Sequence, residues 1–254
     1  MMGLKTLLLS ALAATGSATQ LFRNTGTRSG WDRIQTEWQG RVDEITNNPY
    51  EGSTALKFQQ TYDTTGVYKG RYHSEVHKFN AYSHGDMRFY GFAFRLHSTW
   101  DLDSQQNFDI AQFIADFSGV SSCDGYMPTT MVWLRGRRLW TRTKSGTVCS
   151  QRTQSYNTGV DVTAGVWHKI VMQVRWSPNN DGQFKLWYDG NKVVEHYNIP
   201  TTVSENVPFQ FRVGLYANGW YDDKGIVGSQ VNRQMWVDEI AYGTTFADAD
   251  PAQW

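Results

Sequence analysis

The sequence predicts an all-β protein, a jelly roll or concanavalin-like sandwich of two sheets. Three observations predict it. Apolar residues alternate with period two along most of the chain, turn signals separate those runs, and helical periods are short or absent. Strands with one apolar face need a second apolar surface, and a facing sheet supplies it. With 254 residues and no linker, repeat or low-complexity segment, a single domain over residues 19–254 is expected.

Residues 1–18 read as a secretory signal peptide. Lys5 precedes a short apolar run, residues 7–14, and small residues close it at Gly16, Ser17 and Ala18. The run is too short to span a bilayer. A secreted, extracellular protein is therefore expected, and in that compartment the two cysteines, Cys123 and Cys149, are expected to form a disulfide. The 24 basic and 24 acidic side chains cancel, so no global field argues for nucleic acid or a membrane surface. A monomer without either partner is expected.

The strands follow in order. Leu56 and Phe58 alternate with Ala55, Lys57 and Gln59. Tyr90, Phe92, Phe94 and Leu96 alternate with Phe89, Gly91, Ala93 and Arg95. Ile170, Met172, Val174 and Trp176 form a third apolar face, and Phe209, Phe211, Val213 and Leu215 a fourth. Asp181-Gly182 and Asp189-Gly190 bracket residues 183–188, a hairpin signal. Gly136 marks another hairpin between residues 131–135 and 137–142, and the disulfide would clamp the loops on either side of it.

Candidate chemistry lies where polar residues interrupt this pattern. In residues 71–77, Arg71, His73, Glu75 and His77 share one face of a strand. That face lies in water or forms a site. Residues 108–117 are nearly apolar throughout, except for Gln112, an amide that needs partners if buried. Glu75 and Asp116 are the acids expected to point inward. In residues 210–221, Arg212, Gly214, Tyr216 and Asn218 share the face opposite the core, with Gly214 leaving room for a ligand and Tyr221 on a following loop. Arg135, Arg137, Arg138, Arg142 and Lys144 form a basic cluster in a neutral protein, which points to an anionic ligand. Trp133 and Trp220 are candidates for stacking on sugar rings. Asp238 shares a strand face with Trp236 and Ile240. A carboxylate in such company needs donors or a cation, and calcium, with Asn48 and Glu51 as further ligands, is the candidate cofactor. No organic cofactor is expected.

Four stretches in this order carry a family resemblance: Arg71 to Glu75 with residues 87–96; Ile110-Ala111-Gln112-Phe113; residues 165–171 with Leu186-Trp187-Tyr188-Asp189-Gly190; and residues 211–216 with Val237-Asp238-Glu239-Ile240. Over roughly residues 40–250 the chain resembles the secreted jelly-roll polysaccharide lyases of the glucuronan-lyase (polysaccharide lyase family 20) and heparin-lyase-I-like group. The resemblance implies an endo-acting lyase that cleaves an anionic β-1,4-polyuronate by β-elimination. Relatives often carry Gln-x-His at the second stretch. Here Phe113 and Ile114 follow Gln112, so the base must come from elsewhere, and His73 is the first candidate and His77 the second.

The chemistry assigns the remaining roles. Gln112 and Arg71 would hold the uronate carboxylate. Tyr216 or Tyr221 would protonate the leaving oxygen, with Arg212 lowering a tyrosine used as base. Arg135, Arg212, Asn218, Glu75, His77 and Trp220 would bind neighbouring sugars. A carbohydrate-binding module on the same fold, and a jelly-roll glycoside hydrolase with two opposed carboxylates, are the competing expectations.

Overall fold

The computed structural model describes residues 18–123 and 125–252. The expected signal peptide, apart from Ala18, lies outside the described residues. Two antiparallel sheets form the expected sandwich. The first runs, in spatial order, β13 (Asn191–Ile199), β12 (Gly182–Tyr188), β11 (Trp167–Arg175), β6 (Met87–Leu96), β15 (Asn232–Gly243), β4 (Ala55–Thr61) and β3 (Arg41–Ile45), and β1 (Gln20–Asn24) also pairs with β15. The second runs β10 (Ser150–Asp161), β9 (Arg138–Thr147), β8 (Tyr126–Arg135), β7 (Asn107–Asp116), β14 (Phe209–Tyr216), β5 (His73–Tyr82) and β2 (Arg33–Thr36). Hairpins build the outer parts of both sheets, whereas the central pairs, β6 with β11 and β15 and β14 with β5 and β7, join strands far apart in sequence. Among the described residues no helix is long and apolar enough to cross a membrane.

The core lies between the sheets where the alternation places it. Tyr90, Phe92, Phe94 and Leu96 from the first sheet and Phe209, Phe211, Val213 and Leu215 from the second are all fully buried. Tyr82 stacks between Trp176 and Phe209, with ring centroids 3.7 and 4.6 Å away. Truncating one of these rings to alanine would cost about 3–5 kcal/mol. The hairpin at Gly136 joins β8 to β9, and Cys123 bonds Cys149 with Cα atoms 5.3 Å apart. The disulfide ties the β7–β8 loop to the β9–β10 turn, on either side of that hairpin as expected.

Three sequence expectations need correction. Gly214 does not leave room for a ligand: at φ +144°, a Cβ there would run into the Ser74 carbonyl and lie 2.8 Å from the Glu75 Cα. Its smallness serves the close approach of β5 to β14. Asp238 does not share a face with Ile240. Pairing of β15 with β6 shifts between Asp238 and Ala241, and Glu239 there adopts φ +47°. This bulge reverses the parity of the strand, so both Val237 and Ile240 enter the core. Asp116 is exposed at the end of β7 and bonded to Ser118, so it is not an inward acid.

Candidate active site

The outward face of the seven-stranded sheet carries a cleft of about 460 Å3. β14, β9 and β2 contribute at alternate residues, and β7 departs from this at a register shift. β14 supplies Arg212 and Tyr216, β7 supplies Asp109 and Gln112, β9 supplies Arg142 and Lys144, and β2 supplies Arg33 and Gln35. His73 opens β5, with Arg71 just before it. Asn218 and Asp222 enter from α1 (Asn218–Asp222), a single helical turn after β14. Tyr221 is on that turn rather than on a loop.

His73 and Tyr216 are cross-strand partners of β5 and β14. Their rings stack with centroids 3.8 Å apart and planes 20° from parallel. Nδ1 of His73 lies 2.8 Å from Glu37 Oε2. Burial alone would raise the Glu37 carboxyl, but the hydrogen bonds and charge of His73 outweigh it and hold Glu37 below its ordinary value. The hydroxyl of Tyr216 accepts a hydrogen bond from Arg71, whose guanidinium is also 3.5 Å from Asp222. Burial raises the Tyr216 phenol well above its ordinary value; Arg71 opposes this, while Asp109 and Asp222 add to it. The cation beside this tyrosine is therefore Arg71, not Arg212, and the phenol stays protonated at neutral pH.

Behind the cleft lies a buried layer. Glu75 accepts a hydrogen bond from Gln112 Nε2 at 2.7 Å, and its other oxygen is 3.9 Å from Nε2 of both His73 and His77. Glu75 and His77 are fully buried and do not line the cleft. The structure thus corrects their placement as sugar-binding groups. Glu75 supports Gln112 from beneath, and His77 packs beside it. Burial, then the charges of Arg212, Arg33 and His73, push His77 down to about 2, so its ring is neutral. His73 is the histidine that reaches the cleft.

Other candidates separate in the same way. Arg212 lies beside Gln112 in the β14–β7 register, and Gln210 accepts from its Nε and Nη2 at 3.1 and 2.8 Å. Of the basic cluster, Arg142 and Lys144 line the cleft, whereas Arg137 and Arg138 pair with Asp103 and Asp161. Arg135 is exposed at the hairpin end and lies outside the cleft. Trp220 is 2% exposed and packs edge-on against Tyr72 and Phe108, so it presents no open stacking face. Trp133 stacks on Trp140 at 6.2 Å.

Sequence reasoning missed Glu37, Arg33, Gln35 and Asp109. The first three sit in an alternating stretch, Arg33-Ile34-Gln35-Thr36-Glu37, whose polar face was a readable signal. Asp109 was concealed by a register shift between Asp109 and Ala111, which turns it to the same side as Gln112. It is fully buried with neither oxygen hydrogen-bonded. Burial pushes its carboxyl well above the usual range, with Arg142 opposing.

Asp238 lies on the other sheet, far from this chemistry in the fold. It accepts backbone N–H groups from Tyr50 at 2.9 Å, Glu51 at 3.3 Å and Glu239 at 2.8 Å. Burial raises it to about 6. Asn48 and Glu51 are exposed. Among the described residues no group of three or more His, Cys, Asp or Glu side chains is arranged to hold a metal ion. In the stretch 165–171, His168 is held by Asp189 and Thr163, both at 2.8 Å.

Comparison with known proteins bears on the fold and the family. The crystal structure of an endo-β-1,4-glucuronan lyase from the fungus Trichoderma reesei superposes with a TM-score of 0.89 at 46% identity, over 93% of this chain and all of that one. A cellulose-induced protein, Cip1, shares the fold with a TM-score of 0.52 at 16% identity, over 84% of this chain and 88% of that one. No curated protein sequence matches. The polysaccharide lyase family matches residues 23–241, the span that contains both sheets and the cleft, and the chain belongs to that family.

Proposed function

We propose that the protein is a secreted enzyme that cleaves β-1,4-linked glucuronan internally by β-elimination, with His73 as base and Tyr216 as acid. One observation carries the reading: His73 and Tyr216 stack on the cleft floor, beside Gln112 and among arginines. The substrate printed for the Trichoderma relative supports the choice of glucuronan. The disulfide supports an oxidising compartment.

The roles follow from the chemistry. The C5 proton is weakly acidic while its neighbouring carboxylate is charged. Gln112, Arg212 and Arg71 supply donors where negative charge grows as that proton leaves. Glu37 at Nδ1 favours the tautomer with its proton on Nδ1, which leaves the lone pair of Nε2 for the C5 proton. As the C4–C5 double bond forms, the C4–O4 bond breaks, and O4 takes the proton of Tyr216. A raised phenol pKa suits Tyr216 to the role of acid, and Arg71 stabilises the phenolate it leaves. Asn218 and Arg142 hold the adjoining sugars.

The test is the rise in near-ultraviolet absorbance of the unsaturated uronate, measured on glucuronan, alginate, pectate and heparin. A rise on glucuronan that is lost in His73→Ala and Gln112→Ala is expected. New reducing ends without that absorbance would make the protein a hydrolase instead.

A structural calcium ion beside Asp238 is a second proposal, supported by the burial of that carboxylate without a cationic partner among the described residues. Calcium should then raise the melting temperature of the wild-type chain over that in chelator, and not that of Asp238→Asn. An equal melting temperature in both would end the proposal.

A further inference from the structure

We propose that an aromatic hollow beside the cleft is a second sugar subsite, which holds a further unit of the polysaccharide by the faces of its ring rather than by its carboxylate. The inference rests on the polysaccharide-cleaving reading above. The hollow has a volume of about 560 Å3; Tyr62, Tyr68 and Tyr221 offer it partly open rings, and the buried Tyr72 and Trp220 back them. Its charges balance, with Asp63 and Asp222 against Lys69 and Lys224. It therefore lacks the excess of cations that would select a carboxylate. Pyranose rings carry apolar C–H faces and polar edges, and rings with a hydroxyl or N–H handle suit such a surface.

The hollow adjoins the cleft. Asp222 lines both. Arg71 stands at the junction, donating to Tyr216 on one side and lying 4.3 Å from the centre of the Tyr221 ring on the other. A chain threaded past Tyr216 in this direction enters the hollow. Its wall is also preformed: Asp63 accepts the backbone N–H groups of Thr65 at 2.9 Å and Tyr68 at 2.6 Å, which fixes the turn that presents Tyr68.

Trp38 extends the wall outward. Its ring stacks on Tyr68 at 5.1 Å with planes 28° apart, yet Trp38 remains 39% exposed. Its backbone is held at φ +54°. A bulky residue in that region is uncommon and strained, and such strain gathers at functional sites. Trp38 directly follows Glu37, so one turn places both the group that orients His73 and this exposed indole.

The experiment uses Trp38→Asn and Tyr68→Leu in the full chain, with oligoglucuronates from trimer to octamer. Asparagine tolerates the left-handed backbone, so Trp38→Asn removes the ring without adding strain. The loss in kcat/KM should grow with length, reaching about tenfold on the octamer, the effect of one lost ring contact of about 1.4 kcal/mol. That loss should persist at high salt, whereas the loss in Lys144→Ala should shrink, because screening weakens charge pairing and leaves stacking intact. A loss equal at every length, or none at any length, overturns the subsite. If the wild-type chain cleaves none of the oligomers, the substrate reading fails on its own. Retardation in gels containing glucuronan, alginate or a neutral β-1,4-glucan then decides: retardation lost in both variants supports the subsite, and retardation absent or unchanged overturns it.

Discussion

Two histidines, one on each sheet, have nearly the same surroundings and opposite consequences. His73 on β5 and His168 on β11 each place Nδ1 2.8 Å from a carboxylate, Glu37 and Asp189. Each stacks on a tyrosine, Tyr216 at 3.8 Å and Tyr188 at 5.1 Å. Each side chain keeps 10% of its surface exposed. The second nitrogen separates them. Thr163 bonds Nε2 of His168 at 2.8 Å, which closes that ring's hydrogen bonding. Nε2 of His73 lies 3.9 Å from Glu75, and its ring lines the cleft. A carboxylate behind a histidine therefore orients it in both places, and only an uncommitted nitrogen facing a cleft makes it a candidate base.

The strongest attempt to break this comparison removes each ring. His73→Ala should lower kcat by about a thousandfold, within the range of general-base catalysis. His168→Ala should leave turnover within about twofold but cost about 1–3 kcal/mol of stability in urea denaturation, because Asp189 and Thr163 lose their partner. Equal losses of activity would show that the two rings do not differ as the geometry says. Removing the tyrosine hydroxyls is a smaller step. Tyr216→Phe should lower kcat by about a hundredfold with KM little changed, since the proposed mechanism needs its proton only as the C4–O4 bond breaks. Tyr188→Phe should do almost nothing to turnover, because that hydroxyl is buried without a partner.

The orienting acid gives the smallest effect and the sharpest one. Glu37→Gln should lower kcat by about tenfold, as the tautomer of His73 loosens. Glu37 also titrates below its ordinary value in the folded chain. Its pairing therefore stabilises the protein above the unfolded carboxylate pKa, and this contribution disappears as pH falls through the lower folded value. The gap in melting temperature between wild type and Glu37→Gln should accordingly narrow in the acid range and stay constant at neutral pH. A gap independent of pH would show that His73 does not hold Glu37.

Much of the fold was legible because a sandwich repeats one simple rule. The alternation at residues 90–96 and 209–215 named core residues correctly, and Asp181-Gly182 and Asp189-Gly190 bracketed β12. The site was legible only where the rule holds without interruption. His73, Arg212 and Tyr216 were found because each sits on the polar side of a strand, Arg71 because it continues that alternation just ahead of β5, and Gln112 because it interrupts an apolar run. Asp109 was missed, and Asp238 was put on the face of Ile240, because a bulge shifts parity by one residue and nothing in the local pattern marks that shift. Glu75 and His77 share the correct face with His73, but parity gives a direction and not a depth.

By itself, the sequence determined the sandwich, the pairing of its two cysteines and the face on which the chemistry lies, since these follow from period-two patterning and from composition. Only the tertiary structure decided which of those residues touch. Strands far apart in the chain bring Glu37 behind His73, Tyr216 against it and Gln112 onto Glu75, and neighbouring strands hide His77 while exposing Trp38. Such distances depend on register between segments more than a hundred residues apart, as for His73 and Tyr216, and local spacing carries no information about register at that range.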